Sequence, residues 1–273
     1  MKKILIGISF LFQVGTAFAQ PQLQKLWETD SVLPIPKAVL YDAVEKRLFV
    51  SCMDGAHDAK DGKGYVAVLG TDGGIQLPNW MNALHAPKGL VIFENIVFVA
   101  DMNEVLIIDG KRALTLKRIK VEGAMNITDI AMTIDGFIFA TDSRLGRIFK
   151  IEKDKSILYS EGLRGVSAIT ANQKDLFLLA NGNLFHLTEK KDMNKIAGDL
   201  PVSAEGLVQI GKHEFLVSAT EGKLLHIKDG TVTELLNTPG VPMGDIGYDA
   251  KRKIVYIPTL QHKTVVAYQL SNK

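Results

Sequence analysis

Along the chain, short apolar runs alternate with clusters of Gly, Asp, Asn, Lys and Ser, and no stretch keeps the period of roughly 3.6 residues that an amphipathic helix requires. Runs such as Asn95-Ile96-Val97-Phe98-Val99-Ala100 are apolar on successive positions, as expected of strands covered on both faces by neighbouring sheets. The breaks between runs carry turn chemistry. In one stretch, strands expected at 130–133, 137–141, 147–151 and 156–159 are separated by Asp135-Gly136, Ser143-Arg144-Leu145-Gly146 and Lys153-Asp154-Lys155, which suit antiparallel hairpins. The pattern predicts an all-β chain.

The strand groups recur. Pro36-Lys37-Ala38-Val39-Leu40-Tyr41-Asp42, Pro87-Lys88-Gly89-Leu90-Val91, Ile127-Thr128-Asp129-Ile130-Ala131, Val166-Ser167-Ala168-Ile169-Thr170, Ala204-Glu205-Gly206-Leu207-Val208 and Met243-Gly244-Asp245-Ile246-Gly247 share one plan, a polar or small residue leading a short apolar strand. Their second residues, at positions 37, 88, 128, 167, 205 and 244, are spaced by 51, 40, 39, 38 and 39. About 40 residues is the length of one four-stranded propeller blade, so the chain is expected to be a six-bladed β-propeller. The longer first interval contains an Asp/Gly/Lys-rich stretch, 54–64, which reads as an inserted mobile surface loop. The last repeat offers only three strands, at 246–248, 254–258 and 264–270. The segment 23–28, ahead of the first repeat, is expected to supply the fourth, an N-terminal strand closing the last blade and removing an exposed sheet edge.

The start of the chain has a different character. Lys2 and Lys3 precede an apolar run from Ile4 to Phe12 and then Gly15-Thr16-Ala17-Phe18-Ala19, the layout of a secretory signal peptide cleaved after Ala19. The apolar run is too short to span a bilayer, and no cysteine follows it for lipid attachment, so no membrane anchor is expected. Residues 1–19 are therefore expected to be the signal peptide and 20–273 one propeller domain, periplasmic or secreted. Lys2 and Lys3 account for the whole formal net charge of +2. A balanced mature chain argues against nucleic acid or an anionic membrane as partner. The single cysteine, Cys52, excludes an intramolecular disulfide and reads as a small core residue.

In a propeller the innermost strands line a central channel. The register puts Lys37, Lys88, Thr128, Ser167, Glu205 and Gly244 at equivalent positions around one mouth, with Asp129 and Asp245 directly after two of them. Lys37, Lys88, Thr128, Asp129, Ser167, Glu205 and Asp245 are thus the candidate ligand-binding residues. Such a cluster forms either a structural network, with Glu205 paired to Lys37 or Lys88, or a ligand site. The phrases at 36–42, 86–90 and 127–131, with Val265-Val266-Ala267-Tyr268-Gln269-Leu270, resemble SMP-30/gluconolactonase-type propellers over nearly all of the mature chain. The resemblance implies a divalent metal on the axis, usually calcium, held by a Glu, an Asn and an Asp and polarising a lactone or ester. Position by position, the family's Glu falls at Lys37, its Asn residues at Thr128 and Ser167, and its Asp at Glu205. Glu205 is then the one metal-ligand candidate that keeps a carboxylate, with Asp129 and Asp245 available to a rearranged site. An ammonium at Lys37 would repel a dication.

Other motifs add little. The 54–64 stretch lacks the ligand alternation and terminal Glu of an EF-hand. His57, His85, His186, His213, His226 and His262 form no close metal pair, and His186 and His226 fall at matching strand positions, which suggests core or interblade roles. No nucleophile elbow, phosphate loop or dinucleotide fingerprint is present. Trp27, Trp80 and Met81 read as packing residues, with Trp80 on a connector that an exposed contact would also suit. Three functions fit: a binding scaffold for a small molecule or a cell-envelope protein, a metal-dependent hydrolase of lactones or related esters, and a purely structural role. A monomer is the expected state.

Overall fold

The computed structural model describes residues 21–55 and 58–272; the expected signal peptide lies outside the described residues. The described chain contains no helix and forms six four-stranded antiparallel sheets, the blades of a β-propeller. Blades one to five are sequential meanders over residues 36–84, 87–120, 127–160, 166–197 and 204–237. The sixth combines three strands within 247–272 with Pro21–Glu28.

In blades one to five each repeat phrase forms the innermost strand, and the apolar run after it becomes the second; in the sixth the innermost strand is Gly247–Asp249, with Met243 and Asp245 held by isolated bridges. Ile96–Asp101 is buried along almost its full length because adjoining blades cover both of its faces, whereas the outermost strand of the same blade, Leu114–Lys120, is mostly exposed. Among the described residues most of the buried apolar side chains group into six clusters, each joining one pair of adjacent blades, beside a small seventh of Met53, Ala86 and Met102. Phe49 and Trp80 of the first blade meet Val99 and Leu106 of the second, and so on around to Val50 and Leu69 of the first blade against Tyr256 and Val265 of the sixth. That last cluster closes the ring. Trp80 is buried in an outer strand, its ring edge-on to Phe49 at 4.8 Å, so its role is packing. Cys52 is fully buried in the closing cluster, and desolvation pushes its thiol up to about 12, which makes it inert at neutral pH.

The N-terminal strand closes the last blade as the sequence predicts. Pro21–Glu28 runs antiparallel to Thr264–Asn272, with Leu23 opposite Leu270. It also reaches across the seam. The Trp27 indole N–H donates to the Thr71 carbonyl of the first blade at 3.0 Å, and its ring stands 5.9 Å from Tyr256. The inserted stretch joins the second and third strands of the first blade and therefore lies on the face where the innermost strands begin. Sequence predicts a mobile loop there; its described part is tied down by Asp58 to Arg144, Lys60 to Asn103 and Gly62 to His85.

Candidate functional site

The channel mouth is shaped by a repeated irregularity. In the innermost strands of blades one, three, four and five, pairing with the second strand skips one residue: Lys37, Thr128, Ser167 and Glu205. In the second blade it skips Lys88 and Gly89. A bulged residue leaves the ladder and is re-aimed, so each of these side chains points at the opening and not into a blade interface. Buried hydroxyls on second strands fasten the inner segment of the next blade: Ser51 donates to the Lys88 carbonyl at 2.8 Å and Ser218 to that of Gly244 at 2.6 Å. At the closing seam the Asp245 amide donates to the Lys37 carbonyl at 2.8 Å and the Val39 amide to the Asp245 carbonyl at 3.1 Å.

Lys37, Lys88, Thr128, Ser167 and Glu205 line one cavity of about 400 Å³, together with Asn126, Ser143, Arg144 and Ser203. Lys37 and Glu205 form an ion pair across it. Lys88 is 4 % exposed and donates to the Asn126 side-chain carbonyl. Burial, and then the charge of Lys37, pull its ammonium down to about 8, with Asp101 and Glu205 opposing. Arg144 reaches Asp58 of the inserted loop at 3.0 Å. With Asp58 counted, the cavity and its rim bring three cations, Lys37, Lys88 and Arg144, against two carboxylates, Glu205 and Asp58.

Sequence reasoning did not find Arg144. It sits in a turn that reads only as a hairpin connection, yet every link between second and third strands lies on the mouth face, and strand parity would have placed it there. Sequence reasoning also put Asp129 and Asp245 at the mouth. The structure sets them one step deeper, facing a cavity of about 230 Å³ lined by the inner strands, because the bulged residue before Asp129 takes the outward direction. Asp129 is buried and accepts from the Ile130 amide at 2.7 Å and from the Ile169 amide of the next blade at 2.8 Å. Burial first, then the charge of Asp245, hold its carboxyl well above the usual range. For Asp245, burial lifts the carboxyl to about 7 against the pull of Lys37 and of the Ile246 and Leu207 amides. Gly89 makes room for this arrangement, since a Cβ there would stand 2.3 Å from an Asp129 carboxylate oxygen.

A calcium ion needs six to eight oxygen ligands. The mouth offers the Glu205 carboxylate, already paired with an ammonium and flanked by Lys88 and Arg144, while Asp129 and Asp245 are engaged by backbone amides. These residues do not fit a hard dication. A second grouping, His85, Asp101 and Glu104, brings ligand atoms within 4.8 Å of one another. There Asp101 accepts the amides of His85 and Ala86, and Glu104 holds Arg118 at 2.5 Å. The Gly62 amide donates to His85 Nδ1, which leaves the ring proton on Nε2, the reverse of what a ligating Nε2 requires. It is a structural corner of the loop.

A larger cavity, about 610 Å³, opens on the opposite face between blades four and five. His186 borders it, stacked on Phe177 at 4.9 Å, with Nε2 3.0 Å from Asp175 but out of line for a hydrogen bond. His226, at the matching position, is buried with Nε2 2.7 Å from Glu214 on the neighbouring strand of its own blade, a core role and not an interblade one. The mouth remains the stronger candidate site, because it gathers equivalent positions from five blades onto one polar cavity.

Six blades, a closing N-terminal strand and a bulge-lined mouth define a six-bladed β-propeller. Solved structures bear this out. A catalytically inactive histidine-to-alanine variant of virginiamycin B lyase from Staphylococcus aureus, with quinupristin, superposes with a TM-score of 0.65 at 12% identity, covering 92% of this chain and 100% of the other. Selenomethionine-substituted virginiamycin B lyase from the same organism gives 0.59 at 19% identity over 87% and 82% of the two chains, and a streptogramin B lyase 0.61 at 13% over 92% and 98%. No protein-family model and no curated protein matches the chain.

Proposed function

We propose that this chain is an exported, SMP-30/gluconolactonase-like propeller whose channel mouth binds a small organic anion, acting as a scaffold and not as a metal-dependent hydrolase. The observation that carries this reading is the Lys37–Glu205 ion pair. It occupies the place where the family resemblance would put two metal ligands, inside a cavity whose other charges, Lys88 and Arg144, are positive. Arg144 at the rim suits a carboxylate through its planar fork, and the hydroxyls of Thr128, Ser143, Ser167 and Ser203 suit the polar groups of a ligand small enough for about 400 Å³. The function further includes release into the periplasm or medium as a monomer.

Thermal unfolding with small carboxylates tests it. A ligand at one hundred times its Kd adds about 2.7 kcal/mol to the native state. The expected result is a concentration-dependent rise in Tm with lactate, lost in Arg144→Ala and reduced in Lys37→Met. The opposite pattern, in which calcium raises Tm, carboxylates do not, and Glu205→Ala abolishes the calcium effect, would establish the hydrolase of lactones or related esters instead.

A further inference from the structure

Lys88 is the most enclosed cation of the mouth, and its place is unusual for a lysine. Its backbone is pinned by Ser51, its Nζ donates to Asn126, and it lines the cavity shared with Lys37, Glu205 and Arg144. Among the charged groups around it are Lys37, Asp101, Glu205 and Arg144. An amine desolvated beside other cations is the arrangement that turns lysine into a carbon nucleophile at moderate pH. Its ammonium, drawn down to about 8, is substantially neutral in mildly alkaline solution.

We propose that Lys88 captures the carbonyl carbon of a small 2-oxo acid as a reversible imine, with the ligand carboxylate set against Arg144 and Lys37 at the cavity rim. This rests on the small-anion reading of the mouth and gives it a ligand class. The neutral Nζ attacks the carbonyl carbon, the C–N bond forms, and the carbonyl π pair moves onto oxygen. A proton passes from nitrogen to that oxygen to give the carbinolamine. The nitrogen lone pair then expels the hydroxyl, which leaves as water after taking a second proton, and the iminium returns one proton to its surroundings. Amine and ketone become imine and water, with no change of oxidation state. The Lys37–Glu205 pair, in the same cavity, is placed to carry the protons.

The test uses the intact mature protein with pyruvate and sodium cyanoborohydride, which reduces the imine to a stable secondary amine, followed by mass spectrometry of the whole protein and of its peptides. A single adduct on Lys88 is expected, with a yield rising several-fold from about pH 6.5 to about pH 8.5 as the neutral amine fraction grows. The adduct is expected to be absent in Lys88→Arg. Adducts confined to exposed lysines such as Lys46 and Lys251, or none at all, overturn the proposal. Because the reading is made on the unsubstituted chain, a folding defect in the variant does not affect it. Lactate, which has the carboxylate but a hydroxyl in place of the 2-oxo group, separates the two readings. Lactate stabilisation without pyruvate trapping removes the imine and leaves the anion site; absence of both removes both.

Discussion

Two carboxyls, Asp129 and Asp245, share the channel below the mouth, and each resists ionising because burial and, for Asp129, the other's charge disfavour it. In an unfolded chain an aspartate titrates near about 3.9. In the native state Asp245 holds its proton to about 7. Between those values the folded protein binds more protons than the unfolded one, so stability falls as pH rises and levels off above the upper value. Urea unfolding is therefore expected to show decreasing stability from about pH 5 to about pH 7, by at most about 1.4 kcal/mol per pH unit for each proton released. Asp245→Asn, which keeps the shape without the charge, should reduce this slope; an equally steep profile in that variant would remove Asp245 as its source. The slope was not legible in the sequence. Adjacent mouth and channel residues look alike on paper, and only the bulge before Asp129 separates the group that meets solvent from the group that does not.

At the scale of the strand, the bulges and the small residues beside them let inner strands approach one another. A Cβ on Gly244 would lie 2.3 Å from the Lys37 carbonyl, an obstacle of backbone and not of a flexible side chain. Gly244→Ala is expected to destabilise the fold by roughly 1–3 kcal/mol through forced separation of the first and sixth inner strands, read from the midpoint of denaturant unfolding. An unchanged midpoint would mean that the seam yields freely. Strands were the most legible feature of the sequence. Those of the third blade, expected at 130–133, 137–141, 147–151 and 156–159, fall within a few residues of Ile127–Met132, Ile138–Asp142, Arg147–Glu152 and Lys155–Ser160. Near-continuous apolar runs bounded by Asp, Gly and Lys leave little choice of boundary. The mouth positions were legible for a different reason, because a repeat spacing carries three-dimensional equivalence. Arg144, Asn126 and Ser203 escaped because they belong to connections, outside the repeat phrases whose register marks the mouth; for Arg144 the parity of the strands was the one signal.

For the whole molecule, stability is distributed over six interblade clusters, and the ring holds only while the last of them is closed. The strand Pro21–Glu28 covers the edge of the sixth blade and, through Trp27, also fastens the first. Deletion of residues 20–29 exposes Thr264–Asn272 as a bare edge and loosens the seam, so aggregation or a large fall in melting temperature is expected. A melting curve matching that of the full mature chain would sink the closing role. The bulges have a consequence for the ring's history as well. A residue that stands outside the ladder contributes little to blade packing, so the mouth residues of five blades can be exchanged one at a time while the interblade clusters stay intact. The mouth works as a set of interchangeable sockets on a fixed wheel, and a change at a single socket can redirect what the channel recognises without asking the fold to be built again.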